Sequence, residues 1–129
     1  MPSEEELENI SRTLADGRRY PWGNELGETS ASKVNWRGSG INGVSPPGTF
    51  EADRKIVDFW SNVRCWTTRA NVDGTVNWPP EMNSTEEQVV LGGSWADPEL
   101  DLRASRPGRD FVPHERDERV GIRLVKDRN

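Results

Sequence analysis

Three consecutive β-prone apolar residues, Val89, Val90 and Leu91, run directly into Gly92-Gly93. Such a run reads as a buried strand that ends where the backbone turns sharply or is approached closely by another segment. Near the start of the chain, Ser3 and Glu6 have the spacing of a capping box, and Leu7, Ile10 and Leu14 recur on one helical face. They predict an amphipathic helix over residues 3–15, stopped by Gly17. Ile56, Phe59, Trp60 and Val63 recur at the i, i+3, i+4, i+7 positions of a second short helix, over residues 51–60. Val63, Cys65 and Thr67 then alternate with Arg64, Trp66 and Thr68 as a strand would, with Cys65 on the inward side and Arg64 on the other. Asp73-Gly74, between Val72 and Val76, carries a hairpin-turn signal. At the end, Val120, Ile122 and Leu124 alternate with Arg119, Gly121 and Arg123, which predicts a half-buried closing strand over residues 119–125, paired with the strand at 89–92.

Elsewhere the periodicity lapses. Residues 18–50 are rich in Gly, Pro, Ser and Asn and read as irregular loop pinned by Tyr20, Pro21, Trp22 and Trp36. Residues 78–87 read as loop, and residues 100–118 as a long polar connection, a kind of segment that in compact domains is usually functional or disordered. The exit from the central strand is dense in charge of both signs. Asp97, Glu99 and Asp101 alternate, and Arg103, Arg106 and Arg109 follow at every third position, so the working surface is expected here.

Composition adds that apolar area is carried by few, large side chains. Only 32% of the 129 residues are hydrophobic, with a mean hydropathy of -0.87, yet six are tryptophan. Indoles bury much area per residue, so most of the six are expected in the core and one or two along a ligand groove. A net charge of -5 argues against nucleic-acid binding through a general basic field. No apolar run is long enough to cross a bilayer, and the acidic N-terminus is unlike a signal peptide. A single cysteine, Cys65, cannot form an internal disulfide and suits a reducing compartment, so the cytoplasm is the expected location.

Several motifs, in order and at similar spacing, carry a family resemblance. They are Met1-Pro2-Ser3-Glu4-Glu5-Glu6-Leu7-Glu8, Tyr20-Pro21-Trp22-Gly23-Asn24-Glu25, residues 56–68, Leu91-Gly92-Gly93-Ser94-Trp95, Arg103-Ala104-Ser105-Arg106 and Gly121-Ile122-Arg123. Together they resemble the C-terminal half of the formylglycine-generating enzyme, or sulfatase-modifying factor, family. The resemblance implies an α+β, C-type-lectin-like fold with short helices, small antiparallel sheets and much irregular loop, in a single partial domain over residues 1–129. Members of that family oxidise a sulfatase cysteine to formylglycine with copper held by two cysteines after the Gly-Gly-Ser motif. Relatives form a carbon-sulfur bond with iron held by a histidine-rich partner domain. Others, including the variable proteins of diversity-generating retroelements, use the fold only to bind ligands.

Departures from the pattern separate these trades. Where the oxidase has its cysteine pair, this chain reads Ala96-Asp97-Pro98-Glu99-Leu100-Asp101-Leu102, without a thiol for a soft copper(I) ion. In the family's Asn-Val-x-Glu-Trp motif, which helps hold calcium, Cys65 replaces the glutamate. The family's N-terminal half is missing. His114 is the only histidine, so a histidine-based metal site cannot be assembled within the chain, and it reads as a solvated loop residue. Cys65 reads as a small buried hydrophobe. Asp97, Glu99 and Asp101 read either as cation ligands or as a charged face answering Arg103 and Arg106. The arginines read either as forks for a carboxylate or phosphate or, for Arg106 and Arg123, as structural. The expected function is a non-catalytic module binding a protein or ligand through Trp95, Asp97, Glu99, Asp101, Arg103 and Arg109, with Trp36 and Trp78. The expected cofactor is none, or calcium near Asn35 and Asn62. A protein partner or second domain completing the fold, or a homo-oligomer, is expected against the exposed side. The alternatives are a formylglycine-generating-type metal-dependent oxidoreductase acting with a partner, and a structural subunit of a larger assembly.

Overall fold

The computed structural model describes residues 1–50, 56–68, 88–112 and 116–126. Helix α1 spans Glu4–Ala15 and begins with the capping box: Glu6 donates its backbone N–H to Ser3 Oγ at 3.1 Å, and Ser3 donates its own to Glu6 Oε2 at 2.7 Å. Asp16, left-handed at φ 47°, ends the helix one residue before Gly17, which is also left-handed. Leu7, Ser11 and Ala15 form the buried stripe, with Ile10 and Leu14 packed at its margin.

A four-stranded sheet is built from β1 (Arg64–Trp66), β2 (Gln88–Leu91), β3 (Arg109–Phe111) and β4 (Val120–Gly121) in the order β3-β2-β1-β4. All four residues of β2 are buried, as the apolar run predicts for a central strand. The closing strand is shorter than the alternation suggests, and its partner differs. β4 pairs in parallel with β1, Arg64 opposite Val120 and Cys65 opposite Gly121. Both sides of β2 are already taken, by antiparallel β1 and antiparallel β3. β3 itself lies inside the expected polar connection, which also contains a 3₁₀ turn at Glu99–Leu102. Trp66 meets Phe111 edge-on at 6.2 Å across the sheet, an aromatic contact that helps hold this otherwise charged strand in place.

The predicted helix over 51–60 is not helical in its described part. Residues 56–60 form bends and turns, and Asp58, Trp60 and Asn62 all have left-handed φ. This conformation buries Phe59 and Trp60 together with Leu7, Val89 and Leu91 in one apolar cluster. A second cluster joins Tyr20, Leu26, Val34 and Leu102, so the irregular loop of residues 18–50 is anchored by side chains rather than by a ladder. Tyr20 and Trp22 stack at 5.3 Å. Of the five described tryptophans only Trp60 is fully buried; Trp22, Trp36, Trp66 and Trp95 are half-buried. Trp22 and Trp36 sit where the indole N–H reaches a carbonyl, of Glu25 at 3.2 Å and Gly27 at 3.0 Å, while the ring packs inward. The hairpin signal at Asp73-Gly74, Trp78 and His114 lie outside the described residues. No described helix is long and apolar enough to cross a membrane.

Candidate functional site

The Gly-Gly pair does both things expected of it. Gly92 turns the chain at φ 87°, and Gly93 lies so close to Leu102 that a Cβ there would fall 2.6 Å from Leu102 Cγ. The backbone N–H of Gly93 donates to Trp60 O at 3.0 Å, and that of Trp95 to Asn62 O at 2.8 Å. The segment leaving β2 is thus stitched to residues 60–62.

Asp97 is the pivot of this segment. Its Oδ2 accepts the backbone N–H of Ser94 at 2.7 Å, and its Oδ1 accepts from Arg64 Nη2. Both partners are almost fully enclosed, with side-chain exposures of 2% for Arg64 and 5% for Asp97. Arg64 therefore lies inside the protein on the face away from Cys65, where the alternation alone had left it facing solvent. Burial pushes the Arg64 pKa down, and the Asp97 carboxylate opposes that. Removing one partner of such a pair typically costs ~3–5 kcal/mol, because the other charge is left uncompensated.

Asp101 is also buried. It receives Arg109 Nη2 on Oδ2 and Arg106 Nε on Oδ1, the latter at 3.0 Å. Glu99, half-exposed, accepts from Tyr20 Oη at 2.8 Å and faces Arg19 at 3.5 Å. Arg37 clamps the same segment from outside, through Nε to Ala96 O at 3.0 Å and its backbone N–H to Asp97 O at 3.2 Å. The three acidic residues are thus divided among three separate sets of partners. Trp36, next to Arg37, packs against the second apolar cluster, while Arg103 lines a cleft with residues of α1 and the turn after it. Outward from the segment stand Leu100, 60% exposed, and the partly exposed heads of Arg106 and Arg109. Arg123 is held by Val57 O at 2.9 Å and lies over the Phe59 ring.

Among the described residues, neither the copper nor the calcium that the resemblance implies finds a ready set of donors. The chain's one thiol, Cys65, is on β1 beside the core and donates to Trp66 O at 3.3 Å, and burial pushes its pKa up. A two-thiolate copper site cannot be formed from it. Asn35 and Asn62 are brought together, but by hydrogen bonds to each other and their neighbours. Asn35 Nδ2 donates to Asn62 Oδ1 at 2.9 Å and to Gly43 O at 2.8 Å; Asn35 Oδ1 accepts from Ser39 Oγ at 2.9 Å; Asn62 Oδ1 also accepts the Ser45 backbone N–H at 3.0 Å. Amides and hydroxyls without a carboxylate suit such a network better than a calcium ion. Among the described residues no group of three or more His, Cys, Asp or Glu is placed to hold a metal ion.

Sequence reasoning missed Arg64, whose partner is 33 positions away, and Arg37, which sits in an unpatterned loop. It also passed over Arg12, Arg18 and Arg19. The signal for Arg18 and Arg19 was local: they directly follow a helix-stopping glycine.

The whole arrangement has relatives. A comparison with curated proteins gives no match. Among solved structures, Treponema denticola variable protein 1 superposes with a TM-score of 0.62 at 18% identity, over 95% of this chain and 45% of that one. The present chain thus spans less than half the length of that structure, and the likeness is one of fold. The model of the sulfatase-modifying factor enzyme 1-like domain matches residues 1–128, and the chain belongs to that family.

Proposed function

We propose that this protein is a non-catalytic member of its family that binds a protein or ligand through the surface following Gly-Gly-Ser-Trp. The observation that carries this reading is how the segment is anchored. Its buried carboxylates are consumed by Arg64, Arg106 and Arg109, and its backbone is clamped by Arg37, so the loop is fixed while Leu100 and the arginine heads face outward. Irregular loops held by a rigid scaffold are well suited to recognition. Trp95 and Trp36 flank the surface as half-buried aromatics, a residue class enriched where interfaces carry their energy. Glu99 and Arg103 belong to the surface in this proposal as its periphery; Trp78, also expected there, lies outside the described residues. A partner chain or domain would cover the exposed apolar edge beyond β4.

The test pairs binding with metal loading. Peptides selected against the chain from a displayed random library are expected to lose binding to Leu100→Ser and Arg109→Ala variants and keep it for Lys126→Ala. Titration with copper(I) against a coloured chelator is expected to leave the copper on the chelator. Retention of one copper per chain with oxidation of a cysteine peptide would overturn the reading, as would selected peptides indifferent to Leu100 and Arg109.

A further inference from the structure

We propose a second site, for a small phosphorylated anion, in the cleft of about 470 Å³ between the C-terminal end of α1 and residues 103–105. Its volume is in the range of small-molecule sites. Four arginines, Arg12, Arg18, Arg19 and Arg103, line it together with Asn24 and Ser105, and no carboxylate is among its described lining residues. In a chain of net charge -5 that concentration is local. The two walls are far apart in sequence but locked together, by Ala104 N–H to Arg19 O at 3.0 Å and by Ser11 Oγ to Ala104 O at 3.4 Å.

The arginines are set as donors with capacity to spare. Arg18 is oriented by Nε to Ala15 O and Nη2 to Leu14 O, both at 2.8 Å, which leaves Nη1. Arg12 and Arg19 meet Glu8 and Glu99 only at 3.4 and 3.5 Å, in solvent-accessible pairs whose arginines are more than half exposed and which contribute little. Arg103 Nε is buried and donates to nothing among the described residues. A buried N–H without an acceptor is costly, so the Arg103 fork has a donor still to satisfy. Planar guanidinium forks match phosphate and carboxylate alike. Four of them exceed what one carboxylate can accept, whereas a phosphoryl group brings three acceptor oxygens and a charge of about -1.5 to -2. Arg103 and the Arg19–Glu99 pair link this site to the edge of the proposed surface, but Leu100 and Arg109 are not part of it, so the peptide and pyrophosphate tests fail separately.

Calorimetric titration of the full chain with inorganic pyrophosphate at low salt tests it, with citrate as the carboxylate comparison. One saturable site per chain is expected, weakened about tenfold or more by Arg103→Gln and by Arg12→Gln, and within about twofold of wild type for Lys126→Gln, which removes the same charge elsewhere. Arg12 is a solvent-facing helix residue, so its variant stays informative if Arg103→Gln fails to fold. Absence of saturable pyrophosphate binding overturns the proposal. So does tighter binding of citrate, or equal weakening by Lys126→Gln, which would reveal only a diffuse field.

Discussion

Tyr20 is the chain's only tyrosine, so its ionisation can be read without interference. It is 1% exposed, and its hydroxyl donates to Glu99 at 2.8 Å. Burial first, and the Glu99 carboxylate second, push its pKa up to about 12. The folded value lies above the unfolded one, so the folded state holds the proton more tightly. This contribution to stability is intact below about pH 10 and is lost as the pH climbs from there through the folded value. Ultraviolet absorbance of the phenolate should therefore rise well above pH 10 in the native protein, and near pH 10 in denaturant. Glu99→Gln should lower the native midpoint but leave it above the unfolded value, because burial is the larger cause. A native midpoint equal to the denatured one would refute the enclosure of this ring.

At the scale of elements, the turn out of β2 depends on a missing side chain. A methyl group at Gly93 would press on Leu102 Cγ at 2.6 Å and Cδ2 at 2.9 Å, and Leu102 is fully buried in the second apolar cluster. Gly93→Ala is expected to lower unfolding stability by ~1–3 kcal/mol, the usual range for overpacking a core. Gly43→Ala, where nothing lies within 4 Å of the added carbon, should stay within ~0.5 kcal/mol. Urea unfolding of the two variants measures the difference. That Gly-Gly would mark a close approach was legible in the sequence, as were α1, from its capping box, and β2, from its unbroken apolar run. These signals are local, and each is decided by residues within a few positions of one another. The pairing of β4 was not legible, because alternation fixes which face is buried and says nothing about which neighbour is free. β3 was hidden for a different reason: Arg109-Asp110-Phe111 has no apolar alternation and owes its place to the ladder with β2. In the candidate site, Asp101 answering Arg106 could be anticipated from spacing, but Asp97 answering Arg64 could not. The burial of both charges depends on the chain returning across the sheet.

At the scale of the whole molecule, charge and apolar surface oppose each other. β4 forms one edge of the sheet, and just past it Ile122 is 68% exposed, Leu124 80% and Val125 49%, with Val57 at 48% nearby. A cavity of about 400 Å³ opens there, lined by Pro47, Val57, Val63, Cys65, Ile122 and Leu124 among others. An exposed edge with apolar side chains is a template for association, and burying a Leu or Ile side chain contributes about 1.5–3 kcal/mol. The net charge of -5 works against two copies meeting, and salt screens that repulsion. If apolar contact at this edge drives self-association, light-scattering mass should rise with protein concentration, and added salt should strengthen the effect. Changing Ile122 and Leu124 together to Lys should weaken association by about a hundredfold or more, since roughly 3 kcal/mol of apolar burial is lost. Association that weakens with salt and survives both substitutions would instead place the contact among the exposed ion pairs.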